Sequence, residues 1–257
     1  LEDGGVTDLE RTPTGIEGLD RMLEGGIPKG RTVLLVGGPG TGKTILCTQF
    51  LVNGIEKYGE SGVFVSLEEK KRQLYEGMRR FGWNLSQYEA DGRFAFLDSA
   101  LIRREAGEVK VGKFYVGRRE VSVREFSMLG LANTIENLVD SLKAKRIVVD
   151  SLASLLYQYR DPYDRRMAVL DLFESLTATG ATTIATMQTK SFGLERSVVD
   201  EEYLADGVIV MMRLKVGKAL NRVIQVRKMR MTAADDQPRP YMIGETGINV
   251  FSSEAIF

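Results

Sequence analysis

The sequence predicts an α/β fold: a mostly parallel sheet flanked by helices on both faces, followed by a C-terminal antiparallel hairpin. Three observations predict it. Apolar runs of strand length alternate with segments of helical period over most of the chain, and βαβα order calls for parallel strands joined by crossover helices. The runs over 32–37 and 147–150 are apolar at nearly every position, as strands buried on both faces must be. Late in the chain, runs over 208–214 and 222–230 flank a connection over 215–221, which is too short for a crossover and suits a hairpin.

The elements follow in order. Residues 1–11 carry Glu2, Asp3, Asp8 and Glu10 with little apolar pattern and are expected as a mobile acidic lead-in. Residues 12–257 are expected as one domain. Pro13, Gly15, Gly18, Gly25, Gly26 and Pro28 punctuate a short helix around 19–23, and the strand over 32–37 comes next. Cys47, Phe50, Leu51 and Gly54 recur at i, i+3, i+4 and i+7, the stripe of a helix over 44–58. A strand over 63–67, a helix over 73–81 and a strand over 94–98 continue the alternation. Residues 99–127 break it and are expected as an insert. A stripe through Leu131, Ile135, Leu138 and Leu142 predicts a helix over 131–142. Strand 147–150, helix 165–177 and strand 182–187 complete the alternation. A last short pair over 241–243 and 248–251 surrounds Gly244 and Gly247.

Composition excludes several chemistries. The chain has 257 residues, 43 % apolar and 27 % charged, enough to bury a full core unaided. Its single cysteine, Cys47, rules out an internal disulfide and fits a reducing, cytoplasmic setting. Cys47 lies on the apolar stripe of its helix and reads as packing. No apolar run reaches membrane-spanning length. Thirty-five basic residues balance thirty-five acidic ones, so no global charge draws the chain to nucleic acid or anionic lipid. Histidine is absent, which removes every mechanism built on imidazole. Any base must be a carboxylate.

The strongest motif is Gly37-Gly38-Pro39-Gly40-Thr41-Gly42-Lys43-Thr44, a match to G-x-x-x-x-G-K-[ST] between a buried strand and a helix. Glycines let the backbone wrap with N–H groups inward, and the helix start adds partial positive charge. Gly38 to Ile45 are therefore the nucleotide-binding candidates, named singly as Gly38, Pro39, Gly40, Thr41, Gly42, Lys43, Thr44 and Ile45. Lys43 would meet the β- and γ-phosphates, and the Thr44 hydroxyl would join a Mg²⁺ shell. Arg146-Ile147-Val148-Val149-Asp150 is an apolar strand ending in an acid, which brings Asp150 to the same sheet edge as a Mg²⁺ candidate. Glu68 and Glu69 end the 63–67 strand. They are either the carboxylates that handle an attacking water or the acidic start of a solvated helix. Gln188 sits past the 182–187 strand, to sense the γ-phosphate or to cap the strand. From Arg213 to Arg230 the basic residues Arg213, Lys215, Lys218, Arg222, Arg227, Lys228 and Arg230 meet no acid. Lys228 and Arg230 share one strand face by the period of two, to serve a triphosphate or to keep an edge soluble.

Taken together these motifs resemble the RecA superfamily and, within it, the KaiC-like ATPases, over 12–251. The resemblance rests on Pro13-Thr14-Gly15-Ile16-Glu17-Gly18-Leu19-Asp20, Gly25-Gly26-Ile27-Pro28-Lys29-Gly30, the phosphate loop, Ser66-Leu67-Glu68-Glu69, Phe81-Gly82-Trp83, Val148-Val149-Asp150-Ser151 and Lys228-Met229-Arg230. It implies a RecA-type P-loop NTPase core and a homohexamer with ATP and Mg²⁺ between subunits. Lys43, Thr44 and Asp150 would serve phosphates and Mg²⁺. Glu68, helped by Glu69, would act on water, while Lys228 and Arg230 would reach the next subunit's site. The sequence departs from the family in two places. Met231-Thr232-Ala233-Ala234 stands where the family continues with Gly, Thr or Ser, and His. Glu202 and Tyr203 stand where the family's two-domain member has a phosphoacceptor Ser-Thr pair.

The leading expectation is thus a cytoplasmic, regulatory, Mg²⁺-dependent ATPase acting slowly at subunit interfaces, with protein partners beyond itself possible and no membrane. One alternative is a recombinase-like binder of single-stranded DNA. It would use loops carrying Tyr157, Tyr159 and Arg160, and Lys190, Phe192 and Arg196, where bases stack and phosphates pair. Arg103, Arg104, Lys110, Lys113, Arg118 and Arg119 in the insert offer further charge. Another alternative is an autokinase or nucleotide-gated scaffold built on the same core site.

Overall fold

The computed structural model describes residues 9–98, 128–189 and 198–256, together with the backbone of four short strands between 104 and 123. Two short strands, β1 (Arg11–Thr12) and β2 (Ile27–Pro28), pair antiparallel around helix α1 (Glu17–Met22). Arg11 already belongs to this pair, so the fold starts one residue before the expected boundary. Residues 1–8 of the acidic lead-in lie outside the described residues. The chain then runs through β3 (Thr32–Gly37), α2 (Lys43–Tyr58), β4 (Gly62–Ser66), α3 (Lys71–Met78), a 3-10 turn (Arg79–Phe81), α4 (Leu85–Ala90) and β5 (Phe94–Asp98). The insert follows as two antiparallel pairs, β6 (Arg104–Glu105) with β7 (Glu108–Val109), and β8 (Gly112–Val116) with β9 (Arg119–Val123). The side chains of its cations lie outside the described residues.

Next come α5 (Met128–Leu142), β10 (Arg146–Asp150), α6 (Leu152–Leu156), α7 (Pro162–Ala178), β11 (Thr182–Gln188) and α8 (Asp200–Leu204). The chain ends with β12 (Gly207–Val216), β13 (Ala219–Met229), β14 (Arg239–Gly244) and β15 (Gly247–Val250). One sheet runs β15-β14-β13-β12-β3-β11-β10-β4-β5. From β12 to β5 all neighbours are parallel, and from β12 to β15 all are antiparallel. The order β3-β11-β10-β4 places the ends of four parallel strands side by side, and the chemistry collects there.

Alternation along the strands sorts the core into two layers. Val33, Leu35, Phe64, Val148 and Ile184 pack with α1, α2, α3 and β15 on one face. Leu34, Val36, Val65, Val149 and Ala185 pack with α5, α6 and α7 on the other. Each strand is therefore apolar at successive positions because both its faces are covered. Helix α7 begins earlier than its apolar stripe suggests, since the Asp161 carboxylate accepts from the N–H groups of Tyr163 and Asp164 and Pro162 occupies its first turn. Among the described residues no helix is long and apolar enough to cross a membrane.

The hairpin is tighter than the sequence predicts. Pairing continues through Val216↔Ala219, so Gly217 and Lys218 alone form the turn, with Gly217 at φ +60°. Beyond Met211, β12 has no parallel partner, and the basic ribbon overhangs the sheet edge.

Gly54 shows how the central strands constrain α2. A Cβ there would lie 2.5 Å from Arg146 Cδ and Nε. Arg146 is fully buried; its Nε donates to Glu60 at 2.6 Å and its Nη1 to the Phe50 carbonyl oxygen at 2.9 Å. Its guanidinium also stacks 4.6 Å from the Phe50 ring. With the arginine held at each end, Gly54→Ala is expected to overpack and destabilise by about 1–3 kcal/mol in denaturant unfolding.

Candidate functional site

The loop between β3 and α2 is shaped by its glycines. Gly40 and Gly42 adopt φ of +70° and +95°, which side chains disfavour. A Cβ on Gly37 would sit 2.5 Å from the Met211 carbonyl oxygen of β12, so that strand approaches because the loop starts with a hydrogen there. Thr41 is buried, and its hydroxyl donates to the Gly38 carbonyl oxygen at 2.8 Å. The first-turn N–H groups of Lys43, Thr44 and Ile45 have no intrahelical acceptor, as at any helix start. The Ile45 side chain packs on the core, so what it offers the loop is its backbone. Lys43 Nζ donates back to the carbonyl oxygens of Gly37 at 2.8 Å and Gly38 at 3.1 Å. Burial lowers the Lys43 pKa from the ordinary lysine value, and the Asp150 carboxylate opposes that. Cys47 lies fully buried one helical turn on, its thiol pushed up by burial, in keeping with packing.

Parallel register brings the predicted acids to this loop. Asp150 ends β10, and its Oδ2 accepts from Thr44 Oγ1 at 2.7 Å. Its Oδ1 accepts from Thr186 Oγ1 on β11. Gln188 lies opposite Gly37 in the ladder, and its Nε2 donates to Glu68 Oε2 at 3.2 Å. Glu68 Oε1 accepts from Ser154 Oγ at 2.7 Å and Ser151 Oγ at 3.0 Å. Glu69 turns the chain, its N–H donating to Ser66 Oγ at 3.1 Å. Burial first, and the Asp150 charge second, raise the Glu69 pKa above the usual Glu range. Thr44 and Asp150 offer hard oxygen donors in mutual contact beside the loop, which suits a Mg²⁺ shared with substrate phosphates. No group of three or more His, Cys, Asp or Glu gathers among the described residues, so an all-protein cage is not what these donors build.

Lys228 and Arg230 are not part of this cluster. Lys228 pairs with Val208, which lies opposite Leu34, roughly 10 Å along the strand from Gly37. It extends to α8, where Nζ donates to the carbonyl oxygens of Ala205 at 2.6 Å, Tyr203 at 3.2 Å and Glu202 at 3.3 Å. Burial, then the neighbouring Arg230, lower its pKa. Strand β13 stops at Met229, and its register shifts opposite Val208 and Ile209. Arg230 stands just beyond, with Nη1 3.6 Å from Asp206 Oδ1.

Sequence reasoning missed several members of the site. Thr186 is two residues before Gln188 on one strand, a spacing that carries the signal in principle. Ser151 and Ser154 follow Asp150 within one turn. Arg213 donates to the Gly40 carbonyl oxygen at 2.8 Å and faces Arg222 across the hairpin. Tyr241 donates to the Thr41 carbonyl oxygen at 2.5 Å. Of the loops expected for single-stranded DNA, Tyr157 is 82 % exposed, while Lys190, Phe192 and Arg196 lie outside the described residues.

A glycine-wrapped loop on a parallel sheet edge, with an acid from the next strand but one at its Thr, defines a P-loop nucleotide-binding domain. The chain belongs to the KaiC family of ATPases, whose family model matches residues 12–255. Among curated proteins it is 36 % identical over 250 residues to a UPF0273 protein of Thermotoga maritima, covering 96 % of this chain and 98 % of that one. It is 32 % identical over 256 residues to the circadian clock protein KaiC3 of Synechocystis, spanning 99 % of this chain and 48 % of that longer protein. Among solved structures, a KaiC-like protein from Pyrococcus horikoshii superposes with a TM-score of 0.78 at 36 % identity, covering 95 % of this chain and all of that one.

Proposed function

We propose that this chain binds Mg-ATP at the 37–45 loop and hydrolyses it slowly at the seams of a cytoplasmic homohexamer, as a regulatory ATPase. Lys43 and the loop N–H groups would hold the β- and γ-phosphates, with Arg213 and Arg222 flanking them from the hairpin. Thr44 and Asp150 would hold Mg²⁺, which when bound neutralises charge between the phosphates. Glu68, with Glu69 beside it, would orient a water and accept its proton. The water oxygen then bonds to the γ-phosphorus as the bridging P–O bond breaks, its electron pair leaving with ADP.

The observation that carries this reading is the split of the cations. Asp150, Glu68 and Gln188 gather at the phosphate loop, whereas Lys228 and Arg230, on and just after β13, lie toward the other end of the sheet, Lys228 level with Leu34. Within one chain they do not serve that loop, so use of them there requires a second copy placed head to tail. Exposed apolar residues accompany both ends. Tyr203 is 63 % and Met231 50 % exposed beside the cations, while Leu220 and Met242 are exposed at 63 % and 57 % near the loop side. Such residues suit the two unlike faces of a heterologous seam.

Light scattering with and without Mg-ATP, run with hydrolysis at several protein concentrations, tests the proposal. The expected result is a species six times the 28.6 kDa chain and a specific activity that rises with concentration. Tyr203→Asp is expected to weaken assembly at least tenfold, since a buried unpaired charge at the seam costs more than about 1.4 kcal/mol. A monomer with concentration-independent turnover would refute the seam.

A further inference from the structure

Glu68 is held more firmly than an exposed carboxylate needs to be, and part of the hold comes from helix α6 on the face of the sheet away from α2. Ser154 lies on α6, whose Leu152, Leu155 and Leu156 are buried in the sheet face away from α2. Its hydroxyl reaches the Glu68 Oε1 at 2.7 Å, shorter than the 3.0 Å from Ser151. The Gln188 amide spans both oxygens, at 3.2 Å to Oε2 and 3.4 Å to Oε1. With two hydroxyls on Oε1, that oxygen is occupied, and Oε2 is the one left to exchange the Gln188 amide for a water.

We propose that Ser154 is a positioning residue for ATP hydrolysis, fixing the Glu68 carboxylate so that Oε2 faces the attacking water. This rests on the reading of Glu68 as the carboxylate that handles that water. Removing a hydroxyl donor takes a hydrogen bond from the carboxylate. It also frees the side chain to turn, and misplacement of a base by about 1 Å costs up to a hundredfold in rate. In this role Ser154 acts through Glu68 and not on the phosphates. Its loss therefore lowers kcat and leaves nucleotide binding alone.

The test measures kcat, KM and equilibrium ATP binding for the whole chain as Ser154→Ala, Ser154→Thr and Glu68→Gln, with assembly mass checked. Ser154→Ala is expected to lose roughly tenfold in kcat with binding within about twofold. Ser154→Thr, which restores the hydroxyl, is expected to recover most of the rate. If Ser154→Ala melts early or fails to assemble, Ser154→Cys, with similar volume and a weaker donor, carries the same comparison. Glu68→Gln inactive with Ser154→Ala at wild-type rate overturns the positioning role alone. Glu68→Gln turning over normally overturns the reading of Glu68 and the role of Ser154 together.

Discussion

Lys43→Ala is expected to abolish ATP binding at concentrations that saturate the unaltered chain, a loss of at least a hundredfold in affinity. Its Nζ donates to two loop carbonyl oxygens at 2.8 and 3.1 Å, so the ammonium already lies inside the loop that would receive the phosphates. Each charge-assisted hydrogen bond to phosphate is worth about 1.5–3 kcal/mol, and a lysine bridging two phosphates makes more than one. Burial works against the charged lysine, and Asp150 opposes it, which means the ammonium is kept in place at some cost that a phosphate relieves. Two measurements check this. Titration with a fluorescent ATP analogue reads affinity directly. Thermal melting reads it by linkage: ATP at a hundred times its Kd adds about 2.7 kcal/mol to the unaltered chain and nothing to Lys43→Ala. The fold itself is expected to persist, because the lost bonds are to a loop whose shape Gly40, Gly42 and the Thr41 hydroxyl already set. Retained tight binding in Lys43→Ala would move the nucleotide elsewhere.

What the sequence made legible follows from the range of the interactions involved. Strands β3, β4 and β10 are largely apolar because both faces are covered, and that need is written in consecutive residues. The phosphate loop is likewise local, with strand, glycines, lysine and helix in unbroken order. Helices α6 and α8 span Leu152–Leu156 and Asp200–Leu204, too short to show a period. Helix α4 did carry a signal, since the Asn84 side chain caps it by accepting from the Gln87 N–H. Contacts between distant segments were not legible at all. Arg213 reaches Gly40, Tyr241 reaches Thr41, and Ser154 reaches Glu68 only once the sheet order exists. Lys228 and Arg230 illustrate the limit best. Period-two reasoning put them on one face, and both do turn to the Ala205–Asp206 corner, but that this corner and not the phosphate loop receives them depends on the sheet order.

Arg230→Ala is expected to leave ATP binding nearly intact and to remove most hydrolysis, by about 10³–10⁵-fold as for other arginine fingers. The structure separates that loss from a folding defect. Arg230 is more than half exposed, and its contact with Asp206 is 3.6 Å, a partner worth at most about 1 kcal/mol. Asp206 keeps the Thr32 N–H at 3.2 Å when Arg230 is gone, so no buried charge is orphaned. Mixing distinguishes a finger acting between chains from one acting within. Lys43→Ala subunits keep Arg230 but bind no nucleotide, and Arg230→Ala subunits bind nucleotide but lack the cation. In mixed assemblies each seam that sets an Arg230→Ala loop against a Lys43→Ala neighbour is complete, so activity should rise well above either variant alone. Mixtures that remain as inactive as their parts, with mass confirming mixed assembly, would mean that Arg230 does not act across the seam.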